Sequence, residues 1–301
     1  MTLRSALSLL FAATLTACAA DSSGEARSSD PQLVVLVSVD QLRGDLVDRY
    51  DDLFTGGLRR LIDQGASWGN TTHDHAETAT APGHTTLATG VIPARHGIAG
   101  NDWSELHDGE WRFVYSVADS LSPLLNAPEL PGRSPVNLRR DGLGDWIRAA
   151  DDEARIVSLS RKDRAAITMA GHAGEHVYWL ALEHGVRGFT TSTYYRSALP
   201  GWVEAVNEEL LNTLWTDTVW TSTVPEAERE RARADFLETE GNGIHPVFPH
   251  RALEEVADVD IESIGDWLER TPYQDEAVFR LANAALAALD AVRVLQGELG
   301  E

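Results

Sequence analysis

Leu33-Val34-Val35-Leu36-Val37-Ser38-Val39 is an almost unbroken β-branched and apolar run, and it closes on Asp40. A run of this length and composition predicts a strand buried on both faces of a parallel sheet. The carboxylate at its end would then stand at the carboxyl edge of the sheet, where open α/β folds bind ligands. Further on, Thr78-Ala79-Thr80-Ala81-Pro82-Gly83-His84 places a threonine just ahead of a proline suited to the first turn of a helix. The Thr80 hydroxyl would face the positive end of that helix dipole, which favours an alkoxide. A carboxylate and a helix-start threonine at one sheet edge suggest a metal-activated nucleophile.

The rest of the chain supplies the pattern of a doubly wound, mostly parallel α/β sheet with helices on both faces. Helical spacing runs over 42–64 and stops at Gly65, and 66–70 reads as a short strand. A helix over 82–89 is ended by Gly90; 141–150 reads as a helix, 154–159 as a strand and 162–170 as a helix ended by Gly171. Residues 177–182 and 188–191 read as a hairpin. The segment 199–260 reads as a helical, tryptophan-rich insertion, and 276–295 as an amphipathic helix. A hydrophobic content of 43% with nine tryptophans is ample for a core.

Charge excludes one class of partner. With 25 basic against 47 acidic residues the net charge is −22, and no basic face is large enough to neutralise many phosphates of a nucleic acid. An anionic substrate must be drawn by a local metal or a Lys/Arg cluster.

Residues 1–18 read as a targeting segment: Arg4 is the positive start, residues 7–15 are the apolar stretch, and Leu15-Thr16-Ala17-Cys18 resembles a bacterial lipoprotein cleavage box. Cys18 is the single cysteine and the expected lipidation site; an ordinary secretory signal with an incidental cysteine is the alternative. Ala19 after it favours outer-membrane sorting in a Gram-negative cell, so the expected location is exported, periplasmic or outer-membrane-anchored. Residues 19–31, rich in Ser, Asp and Gly, read as a flexible tether, and 32–301 as the folded portion.

Four patches follow in order: Val39-Asp40-Gln41-Leu42-Arg43; the threonine patch; His96-Gly97-Ile98-Ala99-Gly100-Asn101-Asp102-Trp103; and Ser158-Leu159-Ser160-Arg161-Lys162-Asp163-Arg164. Together they resemble the alkaline phosphatase superfamily, in the monoesterase branch close to the type I phosphodiesterase/nucleotide pyrophosphatases. Later stretches, Phe248-Pro249-His250 and Thr271-Pro272-Tyr273 among them, match the same branch. The resemblance implies that Asp40 and Thr80 ligate one zinc of a Zn2+ pair. It also implies that Thr80 attacks phosphorus to form a phospho-threonine, and that Asn101, Lys162 and Arg164 hold the phosphoryl oxygens. A Lys, an Arg and an amide suit the charge on three transferring oxygens. The Lys/Arg pair favours phosphate monoesters over diesters. Each patch has an ordinary reading when taken singly: Asp40 as a cap, Lys162-Asp163-Arg164 as a solvated helix start, Asn101 as a turn residue. His84 reads as structural, and His73 with His75 as a polar loop; it is the ordered co-occurrence that carries the function.

The family's remaining zinc ligands are an Asp-x-x-x-His, an Asp-His pair and a later His. No Asp-His-Gly occurs here, and the remaining histidines fall in other parts of the pattern. The expectation is therefore the N-terminal half of a phosphomonoesterase: a fragment, a frameshifted product, or a chain completed by a partner carrying the other half. A phosphodiesterase or nucleotide pyrophosphatase, and a non-catalytic surface lipoprotein, remain as alternatives.

Overall fold

A computed structural model describes residues 32–182, 186, 188–213, 218–236, 247–256 and 261–289, the side chains of 261 and 262 excepted. The expected signal segment, Cys18, the tether and the helix beyond 289 lie outside the described residues. By its contacts the chain divides into two units, Met1–Leu36 and Val37–Glu301, and every element below belongs to the second.

In chain order the elements are α1 (Gly44–Arg49), α2 (Gly56–Gln64), α3 (Thr80–Thr89), α4 (Pro93–His96), β1 (Asp102–His107), β2 (Glu110–Tyr115), α5 (Leu143–Ala150), β3 (Val157–Ser160) and α6 (Asp163–Ala170). They continue with β4 (His176–Ala181), β5 (Gly188–Thr190), α7 (Gly201–Thr213), β6 (Val219–Trp220), β7 (His250–Arg251), α8 (Ala252–Glu255), α9 (Ile261–Leu268) and α10 (Tyr273–Ala288).

The central sheet has the order β3-β4-β5, with β3 and β4 parallel and β4 and β5 antiparallel. Strand β4 lies in the middle and is buried along nearly its whole length, which explains its near-continuous apolar sequence His-Val-Tyr-Trp-Leu-Ala. Its side chains alternate between two cores. Tyr178 joins Phe189, Val203, Val206, Leu210, Leu268 and Leu281 under α7, α9 and α10. Val177, Trp179 and Ala181 join Ala166, Ile167 and Ala170 of α6. Helices thus cover both faces of this sheet, as the sequence pattern predicts.

Helices α3 and α6 pack against each other. Both bury small residues, Ala81, Gly83 and Ala88 in one and Ala165 and Ala166 in the other. The packing brings the first turns of both helices together, so that Lys162 Nζ reaches Thr80 Oγ1. Gly90 ends α3 at φ +65°, and Gly97 ends α4 at φ +88°, where a Cβ would meet Asn137 O and the Arg139 side chain at about 3 Å. Only glycine takes both backbone geometries without strain.

The expected buried strand over 33–40 is absent. Residues 33–39 are extended but pair with no strand among the described residues, and Leu33, Val34, Val35, Leu36, Val37 and Val39 are 42–67% exposed. The local composition favours a strand, but a strand needs a neighbour, and here the ladder partners are not among the described residues. The short strand expected over 66–70 is likewise irregular, and the helix expected over 42–64 breaks at residues 50–55 into α1, a 3₁₀ turn and α2. The hairpin of β1 and β2 was not foreseen, although Asp108-Gly109 between two alternating runs is a strong hairpin signal.

Phe189 is fully buried in the core under α7, so Phe189→Ala should destabilise the chain by about 3–5 kcal/mol. Urea denaturation followed by circular dichroism measures this, and a change under about 1 kcal/mol would mean that this core is not formed in solution.

Candidate active site

Three segments far apart in sequence meet at one hydrogen-bonded triangle. Thr80 is the first residue of α3 and is 7% exposed. Its Oγ1 donates to Asp40 Oδ2 at 3.1 Å. Lys162, the N-cap residue of α6, donates from Nζ to Asp40 Oδ2 at 2.9 Å and to Thr80 Oγ1 at 3.2 Å. Asp40 sits in a turn in which the Leu42 N–H reaches the Val39 carbonyl and Gln41 takes φ +61°. Partial burial pushes the Asp40 carboxyl up. The hydrogen bond and charge of Lys162 outweigh that, with help from the Thr80 hydroxyl and His84, and hold the group below its ordinary value. Asp40 is therefore a carboxylate at neutral pH.

The helix start at Thr80 lies two residues earlier than the sequence suggests. Pro82 occupies the third helical position, where its missing N–H costs nothing because the first four N–H groups of a helix lack internal partners. One of those groups, Ala81 N–H, donates to Asn101 Oδ1 at 2.9 Å. The amide oxygen of Asn101 is thereby fixed, which leaves the two N–H donors of its carboxamide for another acceptor. His84 Nδ1 pairs with the Thr80 carbonyl at 2.8 Å inside the helix, in keeping with a structural histidine.

Arg164 lies two residues beyond Lys162, in the first turn of α6. Its Nη1 donates to the Tyr115 hydroxyl at 3.0 Å, and its Nε–H is buried without a partner. Tyr115 in turn donates to Asp163 Oδ1 at 2.6 Å, and Arg133 Nε donates to Asp163 Oδ2 at 2.5 Å. The Arg133 guanidinium also lies 4.7 Å from the Tyr115 ring centre. Burial first, and the Asp163 carboxylate second, push the Tyr115 phenol well up, so it stays neutral. Tyr115, Asp163 and Arg133 thus hold one edge of the Arg164 guanidinium. Sequence reasoning missed these three, because nothing local marks an aromatic hairpin end as the support of a distant arginine.

Four of the five expected site residues therefore share one hydrogen-bonded neighbourhood, Asp40, Thr80 and Lys162 directly and Asn101 through the next residue of α3. Arg164 follows Lys162 by two residues and belongs to the Tyr115–Asp163 network. The arrangement offers a hydroxyl at a helix N-terminus beside an ammonium and an amide. That is what an attacking oxygen and a transferring anionic group require.

A zinc pair asks for more than these residues supply. Asp40 and Thr80 give two oxygens, whereas one zinc takes about four ligands. Among the described residues Asp40 belongs to no group of three or more His, Cys, Asp or Glu side chains placed to share a metal ion. Asp141, Asp145 and His172 do form a group whose ligand atoms lie within 4.8 Å of one another and could hold a cation. There Asp145 already accepts from Gly142 N–H and Ala173 N–H, as a cap of α5. His73 and His75 lie in an irregular loop with their rings 5.0 Å apart.

The profile of the type I phosphodiesterase/nucleotide pyrophosphatase family matches residues 34–242. Alkaline phosphatase PafA of Elizabethkingia meningoseptica is 33% identical over 263 residues, which are 85% of this chain and 47% of that protein. Alkaline phosphatase PhoK of a Sphingomonas species is 37% identical over 174 residues, 58% of this chain and 30% of that one. The crystal structure of wild-type PafA superposes with a TM-score of 0.74 at 31% identity, over 83% of this chain and 48% of the other. The chain belongs to the type I phosphodiesterase/nucleotide pyrophosphatase family, with an alkaline-phosphatase-like α/β fold. It spans about half the length of PafA and less of PhoK.

His96, from the third motif, is fully buried and supports the site from behind. Its Nδ1 accepts from Ile98 N–H at 3.2 Å and its Nε2 pairs with Thr86 Oγ1 at 3.1 Å. Burial, with the neighbouring His75, lowers its pKa to about 4. Between pH 6.5 and 4 the unfolded chain binds a proton at this residue that the folded chain does not, so stability falls as pH falls across that window. The loss approaches about 1.4 kcal/mol per pH unit. Urea midpoints at pH 7 and pH 5 should separate more in the native sequence than in His96→Gln; equal separations would refute the assignment.

Proposed function

We propose that this chain carries the nucleophile and the phosphoryl clamp of an exported phosphate monoesterase. The observation that carries the reading is Thr80 Oγ1 at the N-terminus of α3, hydrogen-bonded to both Asp40 and Lys162. In the proposed reaction Thr80 Oγ1 gives up its proton and bonds to phosphorus while the ester P–O bond breaks, and the leaving alcohol takes up a proton in exchange. Water then attacks phosphorus, the Thr80–phosphorus bond breaks, a proton from the water restores the Thr80 hydroxyl, and inorganic phosphate leaves. Asn101 N–H groups, Lys162 and Arg164 neutralise the equatorial oxygens throughout. The helix N-terminus favours the negative charge that develops on Thr80. Two cationic side chains suit a dianionic monoester better than a singly charged diester.

The family resemblance makes zinc the expected metal, which would supply Lewis-acid activation of the attacking oxygen. The described residues supply two of its ligands, Asp40 and Thr80, so the other donors are to be sought outside the described residues or on a complementing chain. The apolar run 33–39 favours such a complement, because it is extended, exposed and paired with no strand among the described residues.

Hydrolysis of p-nitrophenyl phosphate by the purified chain in excess zinc tests this reading. Monoester turnover should exceed that of bis-p-nitrophenyl phosphate, and Thr80→Ala should lower it by at least about 10³-fold. A rate no higher than that of Thr80→Ala would leave a non-catalytic lipoprotein as the better reading, and faster diester turnover would favour a phosphodiesterase.

Export and lipidation at Cys18 belong to the same proposal, and they rest on the Leu15–Cys18 box. Cells fed a labelled fatty acid should label the native chain and leave Cys18→Ser unlabelled; label retained in the variant would remove the lipoprotein assignment.

A further inference from the structure

Helix α10 carries, on its outer side, a groove that the phosphoryl site does not use. The helix buries Ala277, Leu281 and Ala285. At about 100° per residue, Pro272, Asp275, Glu276 and Phe279 fall on the opposite side. Strand β6 meets that side: the Tyr273 hydroxyl donates to the Val219 carbonyl at 2.8 Å. Between the helix start and the end of β6 lies an open groove of about 450 Å³, a size suited to a small molecule.

The apolar wall of the groove consists of Trp220, Pro272, Tyr273 and Phe279. Two of its rings are held in place by the protein itself. Trp220 stands edge-on to Phe248 with ring centres 5.0 Å apart and lies 5.3 Å from His250, and Tyr273 is tied to β6 by its hydroxyl. A wall fixed in advance loses little freedom when a ligand settles on it. Phe279 is 60% exposed, an apolar ring turned to water beside the other two.

The charge in the groove is of one sign. Asp275 and Glu276 line it, and no lysine, arginine or histidine does so among the described residues. Glu276 is already engaged, since Arg280 donates to it at 2.6 Å and reaches Glu209 at 2.7 Å. Asp275 accepts no hydrogen bond from a described residue. Partial burial pushes its carboxyl up, and the only opposing influence is the charge of Arg161, which is itself paired with Glu269.

An uncompensated carboxylate beside three aromatic rings defines what fits. The ligand must be cationic to meet Asp275 and apolar on its surface to lie against the rings, whose π-faces attract cations. A metal ion fails the second condition, because it takes oxygen ligands or keeps its water. A neutral hydrocarbon fails the first.

We propose that this groove binds a small, freely diffusing alkylammonium ion, with its charge on Asp275 and its methyl groups against Trp220, Tyr273 and Phe279. The net charge of −22 raises the concentration of any cation near the surface, and the groove selects the alkylated ones. This site stands apart from the phosphoryl-site reading, and neither depends on the other.

Ligand-observed magnetic resonance titration of the full chain tests it, with choline and its neutral isostere 3,3-dimethylbutan-1-ol as probes, in about 0.15 M sodium chloride to screen the net charge. Choline should bind saturably and about tenfold tighter than the alcohol. Asp275→Asn should remove most of that advantage and leave the alcohol unchanged, and Phe279→Ala should weaken both probes. Glu110→Gln, which makes the same change in net charge on β2, should alter neither. The substituted positions are all exposed, and an unchanged circular dichroism spectrum verifies that the variants fold. Equal affinity for the two probes, or a choline advantage that survives Asp275→Asn, overturns the proposal. So does an equal loss in Glu110→Gln, which would make the effect one of net charge. Absence of saturable choline binding also overturns it; if light scattering then shows a dimer that Phe279→Ala dissociates, the groove is a self-association surface.

Discussion

One ammonium group organises the site. Lys162 Nζ bridges Asp40 and Thr80, so a residue at the start of α6 ties the turn at Asp40 to the start of α3. The geometry depends on the packing of α3 on α6. In this arrangement the ammonium supplies the positive charge that keeps Asp40 ionised next to a hydroxyl. The placing of Thr80 beside Asp40 and Lys162 is therefore a consequence of helix packing and not of a single rigid loop.

The gathering of Asp40, Thr80, Asn101 and Lys162 was more legible in the sequence than the sheet. Asp40, Thr80, Asn101, Lys162 and Arg164 stand in short ordered motifs, and helix-start positions and turns place such residues whatever surrounds them. Strand β4 was legible for the same kind of reason: its apolar run is buried on both faces, and its partner β5 follows nearby in sequence. The run at 33–39 has the same composition, yet remains extended and exposed. Composition states that a segment can be a strand; pairing is a property of its neighbours, and none is present among the described residues. The support of Arg164 by Tyr115, Asp163 and Arg133 was invisible because it joins residues from three separate segments.

The support network holds a guanidinium in place before any partner arrives, and a group already held loses less freedom on binding. Tyr115 does this with a neutral phenol, which accepts from Arg164 while donating to Asp163. Burial and the Asp163 carboxylate keep that phenol neutral, so it holds Arg164 without cancelling its charge.

The exposed run at 33–39 also governs how copies of this chain behave towards one another. A seven-residue segment rich in valine and leucine, uncharged until Asp40 and lacking proline, can template another strand at its open edge. What keeps two copies apart is their shared charge of −22. That repulsion reaches only about 8–10 Å at physiological ionic strength and shrinks further as salt is added. Added salt therefore weakens the repulsion that opposes edge-to-edge pairing of this run.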